Sequence, residues 1–255
     1  MTRLGIEVIG LALIFWLESI FPLFKGRQNR LRHDARNASA GLLNALIIAF
    51  LFSALTLKTL GLAEAHSFGI IHVLPWHPWP EGLIAFVLFD LWMYAWHRAN
   101  HQIPFLWRFH RMHHSDPEMN STTALRFHPG EIVISSFLRL IVISVIGMDF
   151  THLLIYESIF HPVIFFHHSN IALPEKIDRL FRTVIVTPNM HRVHHSQLPG
   201  ETNSNYSSVF SFWDRLIRSF RKRAETQTLV FGLAEFQDQD RQTFAGMLKT
   251  PFINR

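Results

Sequence analysis

Two stretches some eighty residues apart, HRMHHSD (His110 to Asp116) and HRVHHSQ (His191 to Gln197), carry nearly the same side chains in the same order. On a helix, His110, His113 and His114 fall at i, i+3 and i+4, and His191, His194 and His195 repeat that arrangement. Each stretch therefore presents three imidazoles on one face. A third stretch, DLWMYAWHRANH, sets His97 and His101 four residues apart, a spacing at which two imidazoles on one helix can chelate a single ion. Asp90 and Tyr94 lie deeper on the same stripe, where a carboxylate or phenol is suited to hold the second ring nitrogen of a ligand histidine and fix its tautomer. Any one of these motifs alone also reads as a polar stripe lining a water-filled crevice. Three of them together point to a metal. Eight histidines exceed the three or four protein ligands that one zinc takes, and they suit two adjacent metals with four or five nitrogens each. Imidazole serves Fe, Zn, Cu and Ni, so the ligand type does not name the metal.

Composition narrows the chemistry. The 255 residues include 17 histidines and no cysteine, which excludes disulfides, cysteine-ligated iron-sulfur clusters, a haem-thiolate centre and a cysteine nucleophile within this chain. The paired Glu-x-x-His signature of carboxylate-bridged diiron bundles is absent as well. A pI near 10 is compatible with nucleic-acid binding. Here, however, basic residues alternate with long apolar runs, the pattern of a membrane protein with basic inner loops, so no nucleic-acid partner is expected.

The elements that must position the histidines are apolar helices. Gly5 to Phe24 has roughly the 20 residues needed to cross a bilayer, and its two Glu argue against a signal peptide. KGRQNRLRHDAR then brings five Lys or Arg in twelve residues, followed by a second apolar run from Ala38 to Leu60 and a third from about Gly82 to Trp96. By the positive-inside rule, Lys25 to Arg36 is cytoplasmic, Gly61 to Pro80 lies outside, and the third helix returns to the cytoplasm where the histidine motifs begin. Glu131 to Met148 and Phe150 to Phe166 read as a hairpin of two apolar helices. Arg139 in its first arm implies either burial against protein or entry without a full crossing. Thr187-Pro188 marks the start of the helix carrying HRVHH. The expected fold is an all-α integral membrane helical bundle with a cytoplasmic, histidine-rich helical cap. It divides into N-terminal transmembrane helices (1–80), a histidine-motif domain (81–222) and a polar C-terminal tail (223–255).

The order HxxxH, HxxHH, HxxHH, with apolar hairpins before and between, resembles the membrane-bound fatty acid hydroxylase and sterol desaturase superfamily. The resemblance covers roughly Ala85 to Phe220 and includes DLWMYAWHRANH, HRMHHSD, RFHPGE, HHSN and TPNMHRVHHS. It implies an oxygen-activating, all-histidine centre of two iron ions, with zinc able to occupy the isolated protein, held by His97, His101, His110, His113, His114, His191, His194 and His195. HPVIFFHHSN supplies a further histidine: His168, beside Asn170, matches the pattern best. His161 lies seven residues earlier on the same face, and His167 points about a hundred degrees away. RFHPGE resembles a haem-binding loop, but the chain has no room for that domain, so His128 is expected as a polar neighbour of the site or a helix entry before Glu131. His33, His66, His72, His77 and His152 lie outside the clusters and are expected at interfaces or in structural roles.

The expected function is that of an O2-dependent oxidoreductase that hydroxylates or desaturates a C–H position of a lipid-like substrate. Its electrons would come from an external ferredoxin, cytochrome or reductase, since the chain carries no redox group of its own beyond the histidines. A zinc-dependent membrane lipid hydrolase and a membrane metal transporter or sensor are the alternatives.

Overall fold

The computed structural model describes residues 3–26, 29–73 and 77–253. Arg27 of the basic loop, and Leu74 to Trp76 of the segment expected outside, lie beyond the described residues. The frame consists of helices α1 (Arg3–Ile20), α2 (Arg30–Ile47), α3 (Ser53–Ala65), α4 (Pro78–Gln102), α5 (Pro104–His114), α6 (Pro129–Ile146), α7 (Phe150–His168), α8 (Glu175–Phe181) and α9 (Pro188–His194). Among the described residues there is no strand, only isolated bridges at Pro22–Ile171, Ile185–Phe210 and Ser196–Phe231.

Local sequence explains where these helices begin. Pro78, Pro104, Pro129 and Pro188 open α4, α5, α6 and α9, where a missing N–H costs nothing because the first helical donors have no partner in any case. Those four helices carry most of the histidine motifs or border them. His128 accepts from Gly130 N at the start of α6, and Asp149 accepts from His152 N at the start of α7. Thr187 precedes α9 as expected, but its hydroxyl makes no capping bond. α2 runs into α3 through a π-helical turn, Ile48–Phe52, a local irregularity that recurs at functional sites. Gly147 ends α6 at φ 90°, and a Cβ there would lie 2.6 Å from Phe68 O. The α6–α7 turn thus touches the loop after α3 backbone to backbone, which only glycine permits.

The helices pack α1 against α7, α3 against α6, and α4 against α5, α6 and α7. Between α3, α4, α6 and α7 lies an apolar core that includes Leu60, Ala85, Phe89, Ile143 and Tyr156. Outward-facing side chains are apolar too: Phe50, Leu57, Phe137 and Ile141 are all exposed. Arg30–His72 and Pro129–Ile146 are long and apolar enough to cross a membrane. α1 and α4, expected as further spans, carry Glu7 and Glu18, and Glu81, Asp90 and Arg98, along their lengths. Arg139 in α6 faces protein and pairs with Glu157 of α7, which meets the cost of a charge in an apolar helix.

The segment after Lys222 corrects the expectation of a polar tail. Leu229, Phe231, Phe236 and Met247 are buried. Arg111 of α5 donates to Thr250 O and Ile253 O, and Arg126 donates to Gln242 Oε1. The polar surface of this segment hides a sparse set of apolar anchors, too few and too irregular for a periodic signal. They hold α5 from behind.

Candidate metal centre

The nine histidines singled out as ligands converge in two groups. In the first, one ring nitrogen from each of His97, His101, His110, His114 and His194 lies within 4.8 Å of the others; in the second, His113, His168, His191 and His195 do the same. α4 contributes two residues, α5 three, α7 one, and α9 with its C-cap three. The i, i+3, i+4 spacing of HxxHH makes each triplet serve both groups: His110 and His114 face one and His113 the other, while His194 faces the first and His191 and His195 the second. The groups adjoin, with His114 stacked on His195 at 4.4 Å and His191 on His194 at 5.0 Å between ring centroids.

Backbone and carboxylate acceptors fix which nitrogen faces inward. Nδ1 of His97 donates to Tyr206 O (2.8 Å), that of His194 to Ser204 O (2.6 Å) and that of His168 to Ile164 O (2.8 Å). A carbonyl oxygen only accepts, so these Nδ1 atoms carry the proton and Nε2 keeps its lone pair. His110 Nδ1 is held in the same way by Glu131 Oε1 at 3.0 Å. Nε2 of His97, His110 and His194 and both nitrogens of His114 are buried with no hydrogen-bond partner, a state that costs about 1–3 kcal/mol per group when nothing else is bound.

In the second group His168 Nε2 lies 3.1 Å from His113 Nε2 and 3.0 Å from His191 Nε2, which is itself 3.2 Å from His195 Nε2. One lone pair on His168 cannot serve this ring of nitrogens. A shared cation can, so both groups fit metal ions. Burial, reinforced by the charge that neighbouring imidazoles would carry, holds His113, His114, His191, His194 and His195 well below the ordinary value of 6.5. They are therefore neutral and ready to ligate.

The residues around the histidines differ in part from the expectation. Asp90 touches no histidine: its carboxylate accepts from Val209 N, Phe210 N, Trp213 Nε1 and Tyr156 OH. Seven residues before His97 place it about 10 Å deeper along α4, out of reach of the rings. Tyr94 bonds Ser219 Oγ instead. Both pin the loop that presents the carbonyls of Ser204 and Tyr206, a task shared by Asp214, which accepts from Tyr206 N and Ser207 N. His128 is the helix entry, with Nε2 on Leu248 O. His161 pairs with Glu7 of α1, and Asn170 bonds the backbone of Phe24. His167 is fully buried and stacks on His191 at 4.1 Å, outside both nitrogen groups.

Glu131 is the carboxylate that the motifs left unassigned; its signal was an acid in the first turn of an otherwise apolar helix. The carbonyl acceptors carried no signal, because every residue has one. Asp116, directly after HRMHHS, accepts from His33, Asn37 and Thr123. Burial pushes its carboxyl up, but His33 and Arg126 outweigh it and hold it well below the usual range. Arg126 also donates to Met112 O and Ser115 Oγ, so the second half of the first HxxHH motif is clamped on both sides.

A cavity of about 690 Å³ opens from the second group and runs between α2, the π turn, α4, α6 and α7. His97, His110, His113, His168 and His191 stand at one end, and Ile48, Trp92, Ile132, Phe160 and Ile164 line its length.

A fatty acid hydroxylase family model matches residues 82–219, more than half of the chain and every histidine of both groups. The chain belongs to the fatty acid hydroxylase family. It is similar to alkylglycerol monooxygenase from Homo sapiens (28% identical, covering 83% of this chain and 45% of the relative). It is also similar to an ornithine lipid hydroxylase from Rhizobium tropici (26%, covering 70% and 54%) and to cholesterol 25-hydroxylase from Rattus norvegicus (24%, covering 63% and 53%). The chain thus spans about half the length of these relatives or less. No solved structure matches it.

Proposed function

We propose that this protein is a membrane-bound lipid hydroxylase with two iron ions, one held by His97, His101, His110, His114 and His194 and the other by His113, His168, His191 and His195. The observation that carries this reading is the convergence of nine imidazoles, seven buried and those of His97 and His101 half-buried, without an acid among them, at the end of an apolar cavity walled by apolar helices. When bound, the two ions supply the activation of O2, using electrons from an external carrier. The chain's own residues do the rest. Glu131 and the carbonyls of Ile164, Ser204 and Tyr206 hold the imidazoles in the ligating tautomer. Burial keeps water from the centre, and the cavity lays an alkyl chain with one C–H beside it.

Relatives that hydroxylate alkylglycerols, ornithine lipids and cholesterol support a lipid substrate and hydroxylation over desaturation. The basic run from Lys25 to Arg36 and the twelve Lys and Arg from His168 onward support a cytoplasmic position for the histidines. A transporter would spread its ligands along a path through the membrane, whereas these nine gather at one end of α4, α5, α7 and α9.

Metal analysis together with oxygen uptake tests the proposal. Protein purified from iron-supplied cells is expected to hold about two iron ions per chain and to consume O2 when given a reductant and a lipid extract. One zinc per chain, with lipid cleavage and no O2 uptake, would move the assignment to a hydrolase.

A further inference from the structure

Three polar side chains at the histidine end of the cavity keep buried atoms with no hydrogen-bond partner. Asn100, one turn beyond His97, is fully buried, and neither atom of its amide is hydrogen bonded. His167 is fully buried with both ring nitrogens free. Asn44 donates Nδ2 to Phe127 O, and the Phe127 ring stacks on His113 at 4.4 Å; the other amide atom of Asn44, Oδ1, is buried and unbonded. All three residues line the cavity within a side chain's reach of the candidate ligands. The charged groups farther along its wall differ: Arg139 is paired with Glu157, and His161 with Glu7. Both charges at the far end are thus met by protein partners, with Arg139 Nε the atom left unbonded there, whereas the histidine end keeps several unbonded polar atoms, a costly state unless a ligand meets them.

We infer that Asn44, Asn100 and His167 form a binding site for the polar group of the lipid substrate, and that this group bears a hydroxyl and no negative charge. Asn44 Oδ1 can only accept, so the ligand must bring a hydrogen-bond donor, which an ether or ester oxygen alone does not. Asn100 offers two N–H donors and an acceptor oxygen, a neutral His167 one donor and one acceptor, and a hydroxyl both donates and accepts. The cation among the lining residues is Arg139, already paired about 12 Å farther along α6 from Glu131, so an anionic head finds no side-chain counter-charge here. With its polar group at this end, the substrate runs its alkyl chain past Ile48, Ile132 and Ile164. The oxidised carbon then lies close to the hydroxyl group and far from the chain terminus. This selectivity rests on the proposed lipid-hydroxylase reading.

Photolabelling of the wild-type protein in nanodiscs tests the binding site without requiring metal or turnover. Two long-chain primary alcohols are used, one with a diazirine beside the hydroxyl carbon and the other with a diazirine beside the terminal methyl. The hydroxyl-end probe is expected to mark residues 97–100, 127–131 and 164–168, and the methyl-end probe residues 135–139 and 157–161. The reverse pattern, or the same pattern from both probes, would overturn the inference. In competition, the unlabelled alcohol should displace the hydroxyl-end probe about tenfold better than its methyl ether, the effect of one donor matched to an acceptor. Asn44→Leu combined with Asn100→Leu and His167→Phe should shrink that ratio to about twofold; an unchanged ratio would also overturn it. Oxygen uptake by the iron-loaded protein is read separately, so a failed hydroxylase assignment and a failed binding site give different results.

Discussion

At the scale of single residues, the site depends on which nitrogen each imidazole turns inward. His113→Ala and His194→Ala each remove a proposed ligand from a different group, and each is expected to lower bound iron by at least half, whereas His77→Ala, at an exposed position, leaves it unchanged. Equal losses in all three, read by metal analysis, would mean that the clusters are not special. Glu131→Gln keeps an acceptor for His110 Nδ1 but removes the charge that strengthens it. Such partners typically change metal affinity by about 10–100-fold, so a drop near the lower end is expected in a chelator titration. The convergence of the nine histidines was legible in the sequence because HxxHH and HxxxH spacing is a helical geometry written directly in residue types. Asp90 was misread for a physical reason. A stripe on a helix gives direction but not depth, and two turns put its carboxylate against the 207–213 loop instead of the rings.

At the scale of helices, the prolines that open α4, α5, α6 and α9 and the apolar runs between them were readable, and with them the all-helical class. What escaped was the behaviour of charges inside those runs. Arg139 in α6 marked an anomaly, but its partner Glu157 in α7 became visible only when the helices were packed. Arg139→Met alone removes the cation that faces the buried Glu157 carboxylate, and a loss of roughly 2–3 kcal/mol is expected. That figure is reduced from the usual cost of breaking a buried pair because Arg139 is about a third exposed. Replacing both with Met should recover most of that stability, as read by thermal unfolding in detergent. If the double variant is no better than the single one, the two residues are not coupled.

For the molecule as a whole, the centre is a store of buried neutral imidazoles. His113, His114, His191, His194 and His195 are held below 6.5 in the fold, so below that pH the unfolded chain binds more protons than the folded one. Stability of the metal-free protein therefore falls as pH drops through about 6.5, by up to about 1.4 kcal/mol per pH unit for each such histidine. Thermal melts of chelated protein from pH 8 to pH 5 should show that decline, and bound metal should blunt it by occupying the nitrogens down to lower pH. The packed segment from residue 223 to 253 belongs to this scale too. It reads as a tail because its few anchors, Phe231, Phe236 and Met247, lack a period, yet Gln242 and the carbonyls of Thr250 and Ile253 hold the arginines that brace α5.

The central claim is that this histidine centre places an oxygen atom from O2 on a lipid. The direct measurement supplies iron-loaded membranes, a reductant and a lipid extract with isotope-labelled O2, and examines the products by mass spectrometry. A lipid heavier by one labelled oxygen, formed by the wild type and absent from His113→Ala and His194→Ala, is the predicted result. A new lipid product whose oxygen comes from water, or one formed equally well by those two variants, would contradict it.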